Sequence, residues 1–118
     1  EFVSAVLAEA DCGLLLDVAN VYVNAQNHGL DPVATLESLP LERIAHVHLA
    51  GHLREASGRL LDHHGSAVPD PVWKLYDQLL ERAGPVSTLV EWDTHIPELP
   101  EVLAEADKAR VRLSGGSK

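Results

Sequence analysis

The apolar positions of this chain fall into short blocks of two different periods. Phe2, Val3, Val6, Leu7 and Ala10 stand at helical spacing, and Cys12-Gly13 breaks the pattern. Leu14-Leu15-Leu16 follows as a continuous apolar run closed by Asp17, the pattern of a buried strand. Asp31-Pro32 is a helix start, with aspartate as N-cap and proline in the first helical position, and predicts a short helix to about Leu39. Ile44 to Leu49 is a second strand, closed by Ala50-Gly51, and 53–69 has no clear period and reads as a long loop. Asp70-Pro71 repeats the start signal; Val72, Leu75, Tyr76, Leu79, Leu80 and Ala83 then mark one face of an amphipathic helix that Gly84-Pro85 ends. Thr88-Leu89-Val90 is the third strand, running into Glu91. Pro97 opens a last helix with Leu99, Val102, Leu103 and Ala106 on one face, and 114–118 reads as a flexible tail.

Helices and strands alternate throughout, which predicts βα units around a parallel sheet. The apolar runs are continuous, as in strands covered on both faces. Two architectures fit: an open α/β domain of four helices and three strands, or about half of a closed eight-stranded barrel, which takes roughly 250 residues.

Composition narrows the function. Nine lysines and arginines stand against 18 aspartates and glutamates, a net charge of −9. Nucleic acid, which needs a basic face, is thereby disfavoured as a partner. A metal site, built from carboxylates, is not. There is no apolar run of about 20 residues to span a membrane, and no signal-peptide pattern is visible in the opening residues Glu1-Phe2-Val3. The single cysteine, Cys12, cannot form an internal disulfide, and the expected compartment is the reducing cytoplasm; its place before a buried strand suggests a packed thiol. The chain contains no methionine and so does not begin at a start codon as written; it is expected to come from something longer.

The chemistry concentrates at strand ends. The first strand ends in Asp17, Val47 of the second is followed by His48, and the third ends in Glu91. An ionised carboxylate beside an apolar run costs several kcal/mol unless it is paired or coordinated. Any one of these residues alone is more simply a strand-end cap or a salt-bridge partner. Three at the carboxyl ends of successive parallel strands lie on the edge where α/β folds place active sites. Asp62-His63-His64-Gly65 adds two more donors: in an extended segment Asp62 and His64 point one way and His63 the other. Asn20 and Asn27-His28-Gly29 read by themselves as turns. His46 reads as a packed, hydrogen-bonded residue and His95 as surface, whereas Asp93 is placed to orient a ligand and His52 to act near a substrate. Asp17, Asn20, His48, Asp62, His64 and Glu91 form a set without thiolate, suited to iron, manganese or zinc and larger than one tetrahedral ion needs. No Gly-rich phosphate loop and no Gly-x-Ser-x-Gly elbow is present.

Gly-Leu-Leu-Leu-Asp-Val-Ala-Asn-Val-Tyr-Val-Asn (13–24), Asn-His-Gly (27–29), His-Leu-Ala-Gly-His (48–52), Asp-His-His-Gly (62–65), Val-Pro-Asp-Pro-Val-Trp (68–73) and Val-Glu-Trp-Asp (90–93) together resemble the multinuclear non-heme iron-dependent oxidative enzymes, formerly a domain of unknown function. The likeness covers nearly the whole chain, in the family's order. One departure is Ala19-Asn20, where the family has two asparagines. The resemblance implies a xylose-isomerase-like TIM barrel, of which 1–113 would be the C-terminal half. It implies metal ligation by Asp17, Asn20, His48, Asp62, His64 and Glu91, with two or three irons, and dioxygen-dependent modification of a small precursor peptide presented by a partner protein. Further ligands, two histidines and a glutamate, belong to the first half of such a barrel. The isolated chain is therefore expected to lack a wall of the site, to be inactive alone, and to expose apolar surface that favours self-association. Divalent-metal hydrolysis or sugar isomerisation is the alternative that the same ligands serve, and a non-catalytic fragment is the third.

Overall fold

The computed structural model describes residues 1–115 as a mixed α/β structure. Helix α1 (Phe2–Ala10) leads into strand β1 (Leu14–Asp17), followed without a break by α2 (Val18–His28) and then α3 (Pro32–Glu37). A single 3-10 turn, Leu41–Arg43, precedes β2 (Ile44–Leu49). A two-stranded hairpin, β3 (Leu53–Arg54) and β4 (Leu60–Leu61), precedes α4 (Asp70–Ala83), β5 (Thr88–Val90) and α5 (Leu99–Leu113).

The three longer strands are parallel, as the alternation of elements predicts, and lie in the order β1-β2-β5. Leu16, Val47 and Leu49 point to a core shared with Val18 and Val21 of α2, Leu36 of α3, and Val72, Leu75, Tyr76 and Leu79 of α4. Val47, Leu49, Val72, Tyr76 and Leu79 are fully buried, and each aliphatic side chain so placed contributes about 1.5–3 kcal/mol. The Tyr76 hydroxyl is satisfied by Thr88 Oγ1 at 2.7 Å, which ties α4 to β5.

The other sheet face is open. Register sets Leu15 beside His46, Asp17 beside His48 and His48 beside Leu89, so these side chains share that face. Leu15 is 56% and Leu89 46% exposed, against the expectation of strands covered on both sides.

Several local features depart from the sequence reading. The helix α2 was not predicted, because its asparagines at 20, 24 and 27 imitate turn chemistry while Val18, Ala19, Val21, Val23 and Ala25 bury. Asn20 and Asn27-His28 are thus helical rather than turns, and Gly29, in the left-handed conformation at φ 67°, ends the helix. The supposed loop 53–69 contains the β3–β4 hairpin, too short to register as a period. Helix α5 begins at Leu99 rather than Pro97 and packs through Glu105 and Ala109, leaving Leu99 and Leu103 exposed. Cys12 is exposed, not packed. Of the tail expected at 114–118, Ser114 and Gly115 form a turn closing α5, and 116–118 lie outside the described residues.

Candidate metal centre

The strand register builds the site before any side-chain contact is considered. Asp17, the last residue of β1, stands beside His48 on β2. Glu91 continues the ladder past β5, its N–H donating to the Leu49 carbonyl at 2.8 Å. Asp17 also caps α2, Oδ1 accepting from the Asn20 N–H at 3.0 Å, which leaves Oδ2 free to face the sheet edge.

The segment after β4 crosses this edge and lays His64 over it. The His64 N–H donates to the Gly51 carbonyl at 3.2 Å, and its own carbonyl accepts from the Asp93 N–H at 2.7 Å. His64 has φ 53°, so residues 62–64 are not the extended segment expected; the backbone kinks, yet Asp62 and His64 still converge. The imidazole sits among four carboxylates. Nε2 is 2.9 Å from Asp62 Oδ1 and 3.8 Å from Asp17 Oδ2; Nδ1 is 3.4 Å from Glu91 Oε2 and 3.0 Å from Asp93 Oδ2. His48 Nδ1 lies 3.2 Å from Glu91 Oε1. Asp17, His64 and Glu91 each offer one donor atom within 4.8 Å of the other two.

Electrostatics mark the cluster as unusual. Burial pushes the Asp17 carboxyl up from its ordinary range; the bond from the Asn20 N–H opposes this and the neighbouring Asp62 adds to it. Burial pulls the His64 imidazole down, but the hydrogen bond to Asp93 and the charges of Asp62, Asp17 and Glu91 together hold it above its ordinary value.

Asp62 Oδ1 and His64 Nε2 are close but not aligned for a hydrogen bond, and both atoms are buried with no hydrogen-bond partner among the described residues. Leaving such groups unpaired costs about 1–3 kcal/mol each. Two orphaned donor atoms of the kinds a cation takes, beside further carboxylates, fit a bound metal ion.

The remaining predicted residues divide. Asn20 reaches the cluster from α2, with Nδ2 donating to Asp62 Oδ2 at 3.3 Å; its Oδ1 accepts from Asn24 Nδ2 at 2.9 Å. His52 stands aside, stacked on Tyr22 at 5.4 Å between ring centroids, its Nδ1 buried without a partner among the described residues. Burial, then the Arg54 charge, pulls its imidazole below the ordinary range. His46 is hydrogen-bonded to Ser87 Oγ at 3.2 Å and packs edge-on against His48. Asp93 does meet a ring nitrogen of His64, and His95 is exposed. Asn24 and Tyr22 were not foreseen; recognising α2 as a helix would have placed Asn24 one turn from Asn20.

The fold and site define an α/β structure with a carboxylate–imidazole cluster on the carboxyl rim of a parallel sheet. The chain belongs to the RiPP precursor modification enzyme family MbnB/TglH/ChrH, whose model matches residues 1–114. It is 54% identical over 113 residues to a UPF0276 protein of Acaryochloris marina, covering 96% of this chain and 41% of that protein. A UPF0276 protein of Anaeromyxobacter is 53% identical over 110 residues (92% and 38%), and one of Paraburkholderia phytofirmans 47% over 114 (93% and 37%). The chain thus spans about two-fifths of the length of these relatives. No helix among the described residues is long and apolar enough to cross a membrane.

Proposed function

We propose that this chain carries much of the metal centre of an iron- and dioxygen-dependent enzyme that oxidatively modifies a small precursor peptide. The observation that carries the reading is the convergence of Asp17, His64 and Glu91, with Asp62 Oδ1 and His64 Nε2 buried and unpaired beside them. Asp17, Asp62, His64 and Glu91 would hold iron directly, and His48 and Asn20 would complete the set. Iron bound there would supply dioxygen binding and electron transfer. Asp93 would fix the His64 ring through its contact at Nδ1, leaving Nε2 for the metal. His52, its imidazole pulled below the ordinary range by burial and Arg54 and lying outside the ligand cluster, would accept or return a proton on the peptide.

The donor set alone equally serves divalent-metal hydrolysis, so the iron assignment rests on the sequence resemblance to the multinuclear iron enzymes. The open face carrying Leu15, His46, His48 and Leu89, together with the greater length of the relatives, supports a C-terminal half of a TIM barrel whose other half completes the site. Alone, the chain would be inactive and would self-associate through this face. A partner protein presenting the peptide and a cytoplasmic location belong to the same reading.

Anaerobic purification followed by metal analysis and oxygen-uptake measurements tests it. The protein with both halves of the barrel should hold more than one iron per chain and consume oxygen when given its peptide. Stoichiometric zinc without oxygen uptake would refute it in favour of a hydrolase or isomerase.

A further inference from the structure

The Asn-His-Gly motif has no part in the cluster, yet the structure gives its asparagine a defined task. Asn27 lies in the last turn of α2 and makes two hydrogen bonds to a single residue of β4. Its Nδ2 donates to the Leu60 carbonyl at 2.9 Å, and its Oδ1 accepts from the Leu60 N–H at 2.8 Å.

Hairpin geometry explains why Leu60 needs both. Leu53 faces Leu61 and Arg54 faces Leu60, and the Glu55 N–H donates to the Arg59 carbonyl at 2.8 Å. Hydrogen-bonded and non-bonded pairs alternate in an antiparallel ladder, so the Leu60 N–H and C=O point away from β3. The Leu60 side chain is only 2% exposed, and these edge groups turn toward the protein. The Asn27 carboxamide presents one donor and one acceptor, as the peptide group of a neighbouring strand would. Two residues beyond Leu60, Asp62 is held by Asn20, two helical turns from Asn27 on the same face of α2. One helix therefore fastens the chain before and at Asp62, and the N-cap of that helix is Asp17.

We propose that Asn27 is a positioning residue for the metal-binding segment: by clamping Leu60 it sets the strand end that delivers Asp62, and then His64, against Asp17. The inference rests on the proposed metal centre for what the segment does, and on the hydrogen bonds alone for how it is held.

The test compares the wild-type protein with Asn27→Ala and with Arg82→Ala, a control that severs the distant Arg82–Glu37 pair. Mn2+ alone is the probe, its free ion followed by electron paramagnetic resonance. Asn27→Ala should weaken Mn2+ binding about tenfold, as loss of an outer positioning contact does, while Arg82→Ala leaves it unchanged. Wild-type affinity in Asn27→Ala overturns the proposal. Should Asn27→Ala not fold, amide exchange in the wild-type protein decides: a protected Leu60 N–H supports the clamp, and exchange at the rate of a free amide overturns it. If the wild-type protein, with both halves of the barrel present, takes up no Mn2+, the metal reading fails separately. The clamp is then judged by the His64 ring resonances, which should move in Asn27→Ala and not in Arg82→Ala; unmoved resonances overturn it.

Discussion

Replacing Gly51 by alanine tests how closely the His64 segment must approach the sheet. A Cβ at Gly51 would lie 2.7 Å from the carbonyl carbon of Ser66, and nearer still to the oxygen and Oγ of the same residue. Ordinary carbon–carbon contacts are about 3.5–4.0 Å, so the Ser66 backbone must retreat by roughly 1 Å. The Gly51 carbonyl accepts from the His64 N–H, so the same retreat drags the imidazole from Asp17 and Glu91. Overpacking of this kind costs about 1–3 kcal/mol. At about 4 °C per kcal/mol for a chain near this size, the melting temperature should fall by roughly 4–12 °C. Thermal unfolding by circular dichroism reads the first effect, and Mn2+ titration of the same samples the second. Melting within a degree of wild type, with unchanged Mn2+ affinity, would show that the segment adapts freely and that its approach to Gly51 does not position His64.

Other expectations follow from single contacts. Tyr76→Phe removes the 2.7 Å bond to Thr88 and should lower unfolding free energy by about 1 kcal/mol in urea titrations, with an unchanged m-value. Glu105→Ala takes the carboxylate from the Val68 N–H, to which it bonds at 2.8 Å while only 4% exposed, and should cost about 1–3 kcal/mol in the same assay. His52 should titrate below 6.5 by NMR, because burial and then Arg54 disfavour its charged form. Its folded value being depressed, the unfolded chain binds the proton more readily; the stability it contributes is complete above about 6.5 and is lost as pH falls toward the folded value. A midpoint at or above 6.5 contradicts this environment.

The sequence exposed the parts of the fold that repeat and hid the parts that do not. Apolar runs marked β1, β2 and β5, their alternation with helices marked them as parallel, and proline-led start signals marked α3 and α4. Helix α2 escaped because Asn20, Asn24 and Asn27 carry local hydrogen-bonding preferences of turns, which tertiary burial of Val18, Val21 and Val23 overrides. The site was readable wherever a polar residue ended an apolar run, as at Asp17, His48 and Glu91. Asp62 and His64 were legible in their two-residue spacing, but the left-handed kink at His64 that brings them in has no glycine at that position to announce it. The Asn27 clamp was invisible for a different reason: its partner is backbone 33 residues away, and no side-chain pattern records a backbone contact.

The central claim is that an ion gathers Asp17, His64 and Glu91 on one rim. Crystals grown anaerobically with ferrous iron, measured for anomalous scattering at the iron edge, test it most directly. The account predicts an iron peak bounded by Asp17 Oδ2, His64 Nε2 and Glu91, with Asp62 alongside. Crystals that diffract well and show no peak there, or iron bound only at other surface groups, would contradict it.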